Sequence, residues 1–382
     1  MSELMNASAR RNAIRQQLLT TVSALAILGS ISVGTIAKAD DESDKPVVWI
    51  ELGGQLSRLE DSEQSFSPSL MAKRPSEFTP SPPFEKMPHY SIDGDAALSF
   101  QPEDSDWVFS ASLRYGRSVS HTHVRQHTNH PPFTASAGGN HYTKYPSAQR
   151  FADTDTNSSE HRLIVDFQVG KDVGLGLFGT ASASVLKFGV RFAQFGAYSN
   201  IALKSNPDWH FNYKYNSYLG KNIVLGGTYH TNAASIIAHR SFHGIGPSLS
   251  WSASAPFLHN GQNSDLALDW GLNGAVLFGR QRAHVHYQTT GAYHTAKYVG
   301  PHYTPRKTVS HTNTNFVRAR TVVVPNIGGF AGLSFRYANA KVSFGYRADL
   351  FFHAMDGGIE TRKSENVGFY GPFANVSIGI GG

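Results

Sequence analysis

Histidine is the residue type in this sequence best equipped for chemistry, with 18 copies and no cysteine among them. Four fall within the stretch HTHVRQHTNH, as His121, His123, His127 and His130. Imidazole nitrogen is a common ligand of zinc, copper and nickel, so this stretch is a candidate metal site. Its spacing matches no fixed structural zinc pattern, and no neighbouring carboxylate completes it in sequence. The plainer alternative is a polar segment whose rings bond to water and take up protons at mildly acidic pH. His284 and His286 are two residues apart and would share one face of a strand, offering two ligands at most.

Catalysis has less to stand on. Nucleophilic chemistry needs a Ser, a His base and an orienting group brought together. No Ser lies in a Gly-x-Ser-x-Gly elbow. Asp153 and Asp155 share a face only if the chain is extended there, and no Gly-rich phosphate loop occurs. The expectation is a protein that is not an enzyme and carries no cofactor. The absence of Cys removes thiol chemistry and any disulfide framework.

The elements that would position these residues are read from period two. Apolar side chains alternate with polar ones in twelve segments: 48–56, 96–101, 107–116, 161–169, 186–192, 209–216, 248–253, 266–273, 282–288, 331–337, 341–352 and 376–380. Trp107, Phe109, Ala111, Leu113 and Tyr115, for example, alternate with Val108, Ser110, Ser112, Arg114 and Gly116. Short turns are expected at Pro102 to Asp106, at Gly279-Arg280-Gln281 and at Ala338-Asn339-Ala340. Residues 218–243 are either one long excursion or two more strands. Long polar loops are expected near 59–93, 119–158, 291–323 and 353–367.

Charged residues make up 16% of the chain, against roughly 25% in soluble domains, while Gly and aromatic residues are plentiful. Residues 1–39 read as a cleaved secretory signal: Arg10, Arg11 and Arg15, a mostly apolar run, then Ala37-Lys38-Ala39. Without them, four of 34 basic and one of 28 acidic residues are lost, and the remainder carries about +3, which does not indicate nucleic acid. Past residue 39 no window has the 18 consecutive apolar residues of a spanning helix. A chain that enters lipid must then do so as a closed barrel, which satisfies every backbone polar group. A soluble β-sandwich also fits the alternation. Strand length, aromatic residues near strand ends (Trp107, Tyr115, Trp209, Tyr215, Phe335, Tyr337, Phe352) and segment number favour the membrane. The expected fold is all-β: a closed antiparallel transmembrane barrel of about 12 strands, range 10–14, occupying residues 40–382 in the outer membrane.

The opening strand VVWIELGGQLSRLE and the closing stretch FGYRADLFFHAMDGGIETRKSENVGFYGPFANVSIGIGG resemble bacterial outer-membrane barrels. Among named families they are most similar to the Legionella-type major outer membrane proteins. The resemblance implies a barrel in the Gram-negative outer membrane, with lipid and the barrel-insertion machinery as partners and a porin-like role.

With alternate rows facing inward, the expected pore lining is Arg114, Arg162, Asp166, Lys187, Arg191, Lys214, Asp269, Arg282, His284, His286, Arg336, Lys341, Arg347 and Asp349. Its positive excess predicts passive diffusion of small hydrophilic solutes with a weak anion preference. The alternatives are a barrel plugged by its own ion pairs, or one that only anchors His-rich surface segments for adhesion or metal binding.

Overall fold

A computed structural model describes residues 48–61, 90–102, 105, 107–129, 134–137, 141–144, 149–173, 183–206, 209–218, 220–260, 264–299, 302–359 and 361–380. The expected signal and the segment 62–89 lie outside them. The strands in chain order are β1 (Val48–Asp61), β2 (Tyr90–Phe100), β3 (Trp107–Asn129), β4 (Thr134–Ala137), β5 (His141–Lys144), β6 (Gln149–Asp172), β7 (Ala183–Asn206), β8 (Trp209–Asn216), β9 (Lys221–Asn260), β10 (Ser264–Val299), β11 (His302–Tyr337), β12 (Ala340–Asp356) and β13 (Ser364–Ile380).

Ten of these close a ring: β1-β2-β3-β6-β7-β9-β10-β11-β12-β13 and back to β1, every neighbour antiparallel. Where all ten strands pair, closure leaves no sheet edge; among the described residues, β3 beyond Arg117 and β11 before Asn326 pair on one side only and border a sheet that continues past the closed ring. β4 and β5 form a separate hairpin. Val48 pairs with Ile380, which brings the first and last strands together at one mouth. The connections at that mouth include residues 101–106 and the two-residue turn Ala338-Asn339, both expected from sequence. Ala338 has φ 49°, the left-handed conformation that a two-residue hairpin favours.

Ten strands replace the expected twelve for two reasons. Segments 266–273 and 282–288 are one strand, since β10 runs unbroken for 36 residues. Segment 209–216 is β8, which pairs with β9 at Trp209↔Tyr229, next along the same edge that β7 occupies from Ser205↔Asn232. It continues the β7 rail rather than crossing the wall anew. Residues 218–243, left open by the sequence, fall largely within the 40-residue β9.

Gly279-Arg280-Gln281 is accordingly no turn. Gly279 faces Gly244 in register, and the two leave a hollow for the Phe242 ring; a Cβ on either would stand 2.6 to 2.7 Å from a ring carbon. The loops expected at 119–158 and 291–323 are corrected in the same way. β3 and β6 pair from Trp107↔Lys171 to Asn129↔Gln149, and β10 and β11 pair out to Val299↔His302.

These strands far exceed the roughly 9–11 residues that cross a bilayer at a tilt. On β10 from Leu266 to Tyr287 the even-numbered side chains face outward and the odd ones inward, and the chemistry of the two faces exchanges midway. Outward, Leu268, Leu272, Val276 and Phe278 give way to Arg280, Arg282 and His284. Inward, Asp269 and Asn273 give way to Ala275, Leu277, Ala283 and Val285, the last 0% exposed. The first half is polar inside and apolar outside; the second has the opposite polarity and belongs to the sheet that continues past the closed ring.

Candidate functional site

The lumen is where most of the predicted residues gather, and it is filled. Toward the mouth holding the chain ends, ion pairs reach across several strands. Arg114 Nη1 on β3 donates to Asp349 Oδ2 on β12 at 2.5 Å, passing β13, β1 and β2. Arg347 Nη1 bonds Asp95 Oδ2 at 2.5 Å, and Lys341 Nζ bonds Asp269 Oδ2 at 2.6 Å. Arg162 bonds Asp93, which also accepts from Ser57 at 2.5 Å and Ser91 at 2.8 Å. Arg191 Nε and Nη2 clamp Asp166 at 2.7 and 3.0 Å, while its Nη1 donates to Asn273 Oδ1 at 2.7 Å and to Asn326 Oδ1. Away from bulk water such pairs are firmly held, and removing one partner strands a buried charge at a cost of about 3–5 kcal/mol.

One step further along the strands, an apolar layer crosses the lumen. The sequence changes from Arg191 to Ala193, from Asn273 to Ala275, from Asn326 to Val324 and from Asp349 to Phe351, so four strands switch together. Phe195 meets Phe351 edge-on at 4.8 Å and lies 6.3 Å from Phe369, on the strand opposite β7 in the ring. Phe242, Leu277 and Met355 complete the layer.

Beyond it the β12–β13 connection turns into the barrel. Arg318 on β11 holds Asp356 at 2.8 Å and donates to the carbonyls of Gly358 and Ile359, each at 2.6 Å. Arg240 on β9 donates to the Gly357 carbonyl at 3.0 Å. Ile359 packs against Ile201, Ile236, Val285 and Tyr287. β12 can bend inward because of an irregularity between Phe351 and Met355, where His353 has φ 57°. The loop expected near 353–367 is therefore a strap across the lumen.

The structure places Arg114, Arg162, Asp166, Lys187, Arg191, Asp269, Lys341, Arg347 and Asp349 on the lumen face, and Arg336 at its mouth, 5.5 Å from the Trp49 ring. It corrects three others. Arg282, His284 and His286 face outward, because they lie in the half of β10 where Ala283, Val285 and Tyr287 turn to the interior. Lys214 sits on β8, and its side chain lies outside the described residues, as do those of Trp209 and Tyr215. Trp107, Tyr115, Phe335 and Tyr337 are exposed on the outer wall, as the interfacial assignment expects.

The histidine stretch is strand rather than loop. His121 and His123 stand exposed on the outer face of β3, beside Asp155 and Asp153 of β6. His121 Nδ1 bonds Asn157 Oδ1 at 2.7 Å, and His123 Nε2 lies 3.0 Å from Asp153 Oδ1. Pairing across strands thus supplies the carboxylates that the sequence stretch lacks. Even so, no group of three or more His, Asp or Glu among the described residues could hold a metal ion. The side chain of His127, and His130 altogether, lie outside the described residues.

Sequence reading missed Asp93, by assigning 59–93 to a loop, and Asp95, by starting the strand at Ala96, although Ser91, Asp93, Asp95, Ala97 and Ser99 form one row of β2. It also missed Arg240, Arg318 and Asp356, charged residues on an otherwise apolar inner face, whose placement follows from strand register and the inward strap.

No known protein-family description matches the chain, and no curated protein matches it. Among solved structures, it aligns with a deletion mutant of the TodX monoaromatic hydrocarbon channel, whose parent is from Pseudomonas putida, at 10% identity over 87% of this chain and 90% of that one, TM-score 0.21. The transport unit of the autotransporter AIDA-I from Escherichia coli aligns at 8% identity over 93% and 97%, TM-score 0.19. OmpT of Vibrio cholerae aligns at 8% over 90% and 99%, TM-score 0.15. Likeness this slight supports no statement about this chain; its description rests on its own wall and lumen.

Proposed function

We propose that the protein is an outer-membrane barrel whose lumen is shut at rest, a non-enzymatic anchor that carries its long β-walled extension beyond the lipid surface. One observation carries this reading: opposite walls meet through ion pairs, through an aromatic layer and through the inward strap, three successive closures of one lumen. The exported signal, the outer belt of apolar side chains and the resemblance of the chain ends to the major outer membrane proteins all support the location. The same geometry narrows the basis for anion preference. Asp93, Asp95 and Asp356 join the interior together with Arg240 and Arg318, Arg282 leaves it, and Arg114, Arg162, Arg191, Arg318, Lys341 and Arg347 each face a carboxylate.

A second reading, passage of small hydrophilic solutes when the strap moves aside, draws on the strap being bound to Arg240 and Arg318 through hydrogen bonds to carbonyl oxygens and an ion pair. Conductance across planar bilayers under a salt gradient tests both. The wild-type protein is expected to be silent, and steady ohmic channels would overturn the shut-anchor reading. Channels that open only in an Arg318→Ala variant would establish the gated passage in its place.

A further inference from the structure

We infer that the outer wall directly beyond the apolar belt is a binding surface for phosphate-bearing headgroups of the surrounding lipid. The inference rests on the membrane reading above. Strand register shows how abruptly the surface changes. The row Leu113–Val165–Phe192–Ile245–Phe278–Val323, read across β3, β6, β7, β9, β10 and β11, is wholly apolar. The next three rows on the same face hold Arg117, Arg280 and Arg282, together with His161, His239, His243 and His284, and no carboxylate at any of their positions. All seven of these side chains are exposed.

The rows also have relief. Gly196, Ser241 and Ala319 lie in the same row as His161 and Arg282, and their small side chains form the floor of a depression of about 690 Å³. The His161 ring lies across Gly196, where any Cβ would displace it. One side is walled by Tyr198, His239 and His284, with ring centroids 4.7 and 6.4 Å apart in sequence along the row.

Arginine presents paired donors that fit phosphate oxygens, imidazole adds further donors, and tyrosine suits the boundary between lipid tails and water. An anionic headgroup fits by charge and by place, since the surface is continuous with the wall that the acyl chains cover. Each exposed Arg adds attraction that falls off with salt.

The test uses the mature chain inserted into nanodiscs of phosphatidylcholine containing a minor share of phosphatidic acid, with retained lipids counted by native mass spectrometry. The wild-type barrel is expected to keep phosphatidic acid about fivefold over its share at low salt. The R117Q/R280Q/R282Q variant should fall to parity. A charge-matched variant altered further out on the extension, R125Q/K204Q/K307Q, should keep the enrichment. Heat-modifiable migration on gels confirms that all three are folded. Parity in the wild type, or equal loss in both variants, overturns the site. Failure of the wild type to insert overturns the membrane reading and this one with it, whereas insertion with parity overturns this one alone.

Discussion

Arg191 reaches Asp166 on β6, Asn273 on β10 and Asn326 on β11 from its place on β7, so one guanidinium ties four strands. Replacing it by Met removes the donors and leaves the Asp166 carboxylate buried without its charge partner. Arg191→Met is expected to lower stability by about 3–5 kcal/mol in denaturant unfolding from detergent. Adding Asp166→Leu should restore most of that loss, since the cost lies in the stranded charge; a double variant as unstable as the single one would show the ion pair is not its source. Phe195→Ala tests the layer beyond. Its ring contacts the opposite wall, and its removal should cost about 3–5 kcal/mol, unless the layer collapses to fill the gap. The inward placement of Arg191 and Asp166 was legible from alternation, but their partnership with two Asn residues was not, since those lie two and three strands away around the ring.

At the scale of the element, β10 shows how one strand serves two solvents. From Leu266 to Tyr287 its odd and even residues keep their sides, so a substitution there is judged by where along the strand it falls. Arg in place of Leu272, in the middle of the apolar belt on β10, puts a charge on the lipid face and is expected to cost about 2–4 kcal/mol. His284→Arg, twelve residues on and on the same face, should change stability by no more than about 0.5 kcal/mol. Unfolding titrations of both variants from lipid vesicles provide the comparison, and equal losses would show that the second half of β10 is also in lipid. The sequence carried this signal, since Ala283, Val285 and Tyr287 alternate with Arg282, His284 and His286. It did not carry the sign: alternation names two faces without saying which one meets water.

For the whole molecule, the register sets the orientation. Val48 of β1, Ile380 of β13 and the Ala338-Asn339 turn share one mouth, while the β10–β11 hairpin lies at the far end of the extension. Because the chain has no cysteine, single replacements report cleanly. Cysteine placed at Val309, exposed near the far end, should be labelled on intact cells by a membrane-impermeant maleimide. Cysteine at Asn339 should be labelled only after the outer membrane is opened. The reverse pattern would invert the barrel and with it the surface assigned to the headgroups.

The sequence alone determined that the chain is all-β, that its strands are antiparallel with one face polar and one apolar, and that Arg114, Arg347 and Asp349 point to the same side. Those properties are local, because period two is written into each strand. Only the tertiary structure decided that there are ten strands, that rails broken into two by glycine or by a change of polarity are continuous, and that Arg282, His284 and His286 face out. It also decided which side chains meet across the lumen. Whether a barrel is open depends on which side chains meet across it, and Arg114 meets Asp349 at a sequence separation of 235 residues, set by ring closure and register rather than by any local pattern.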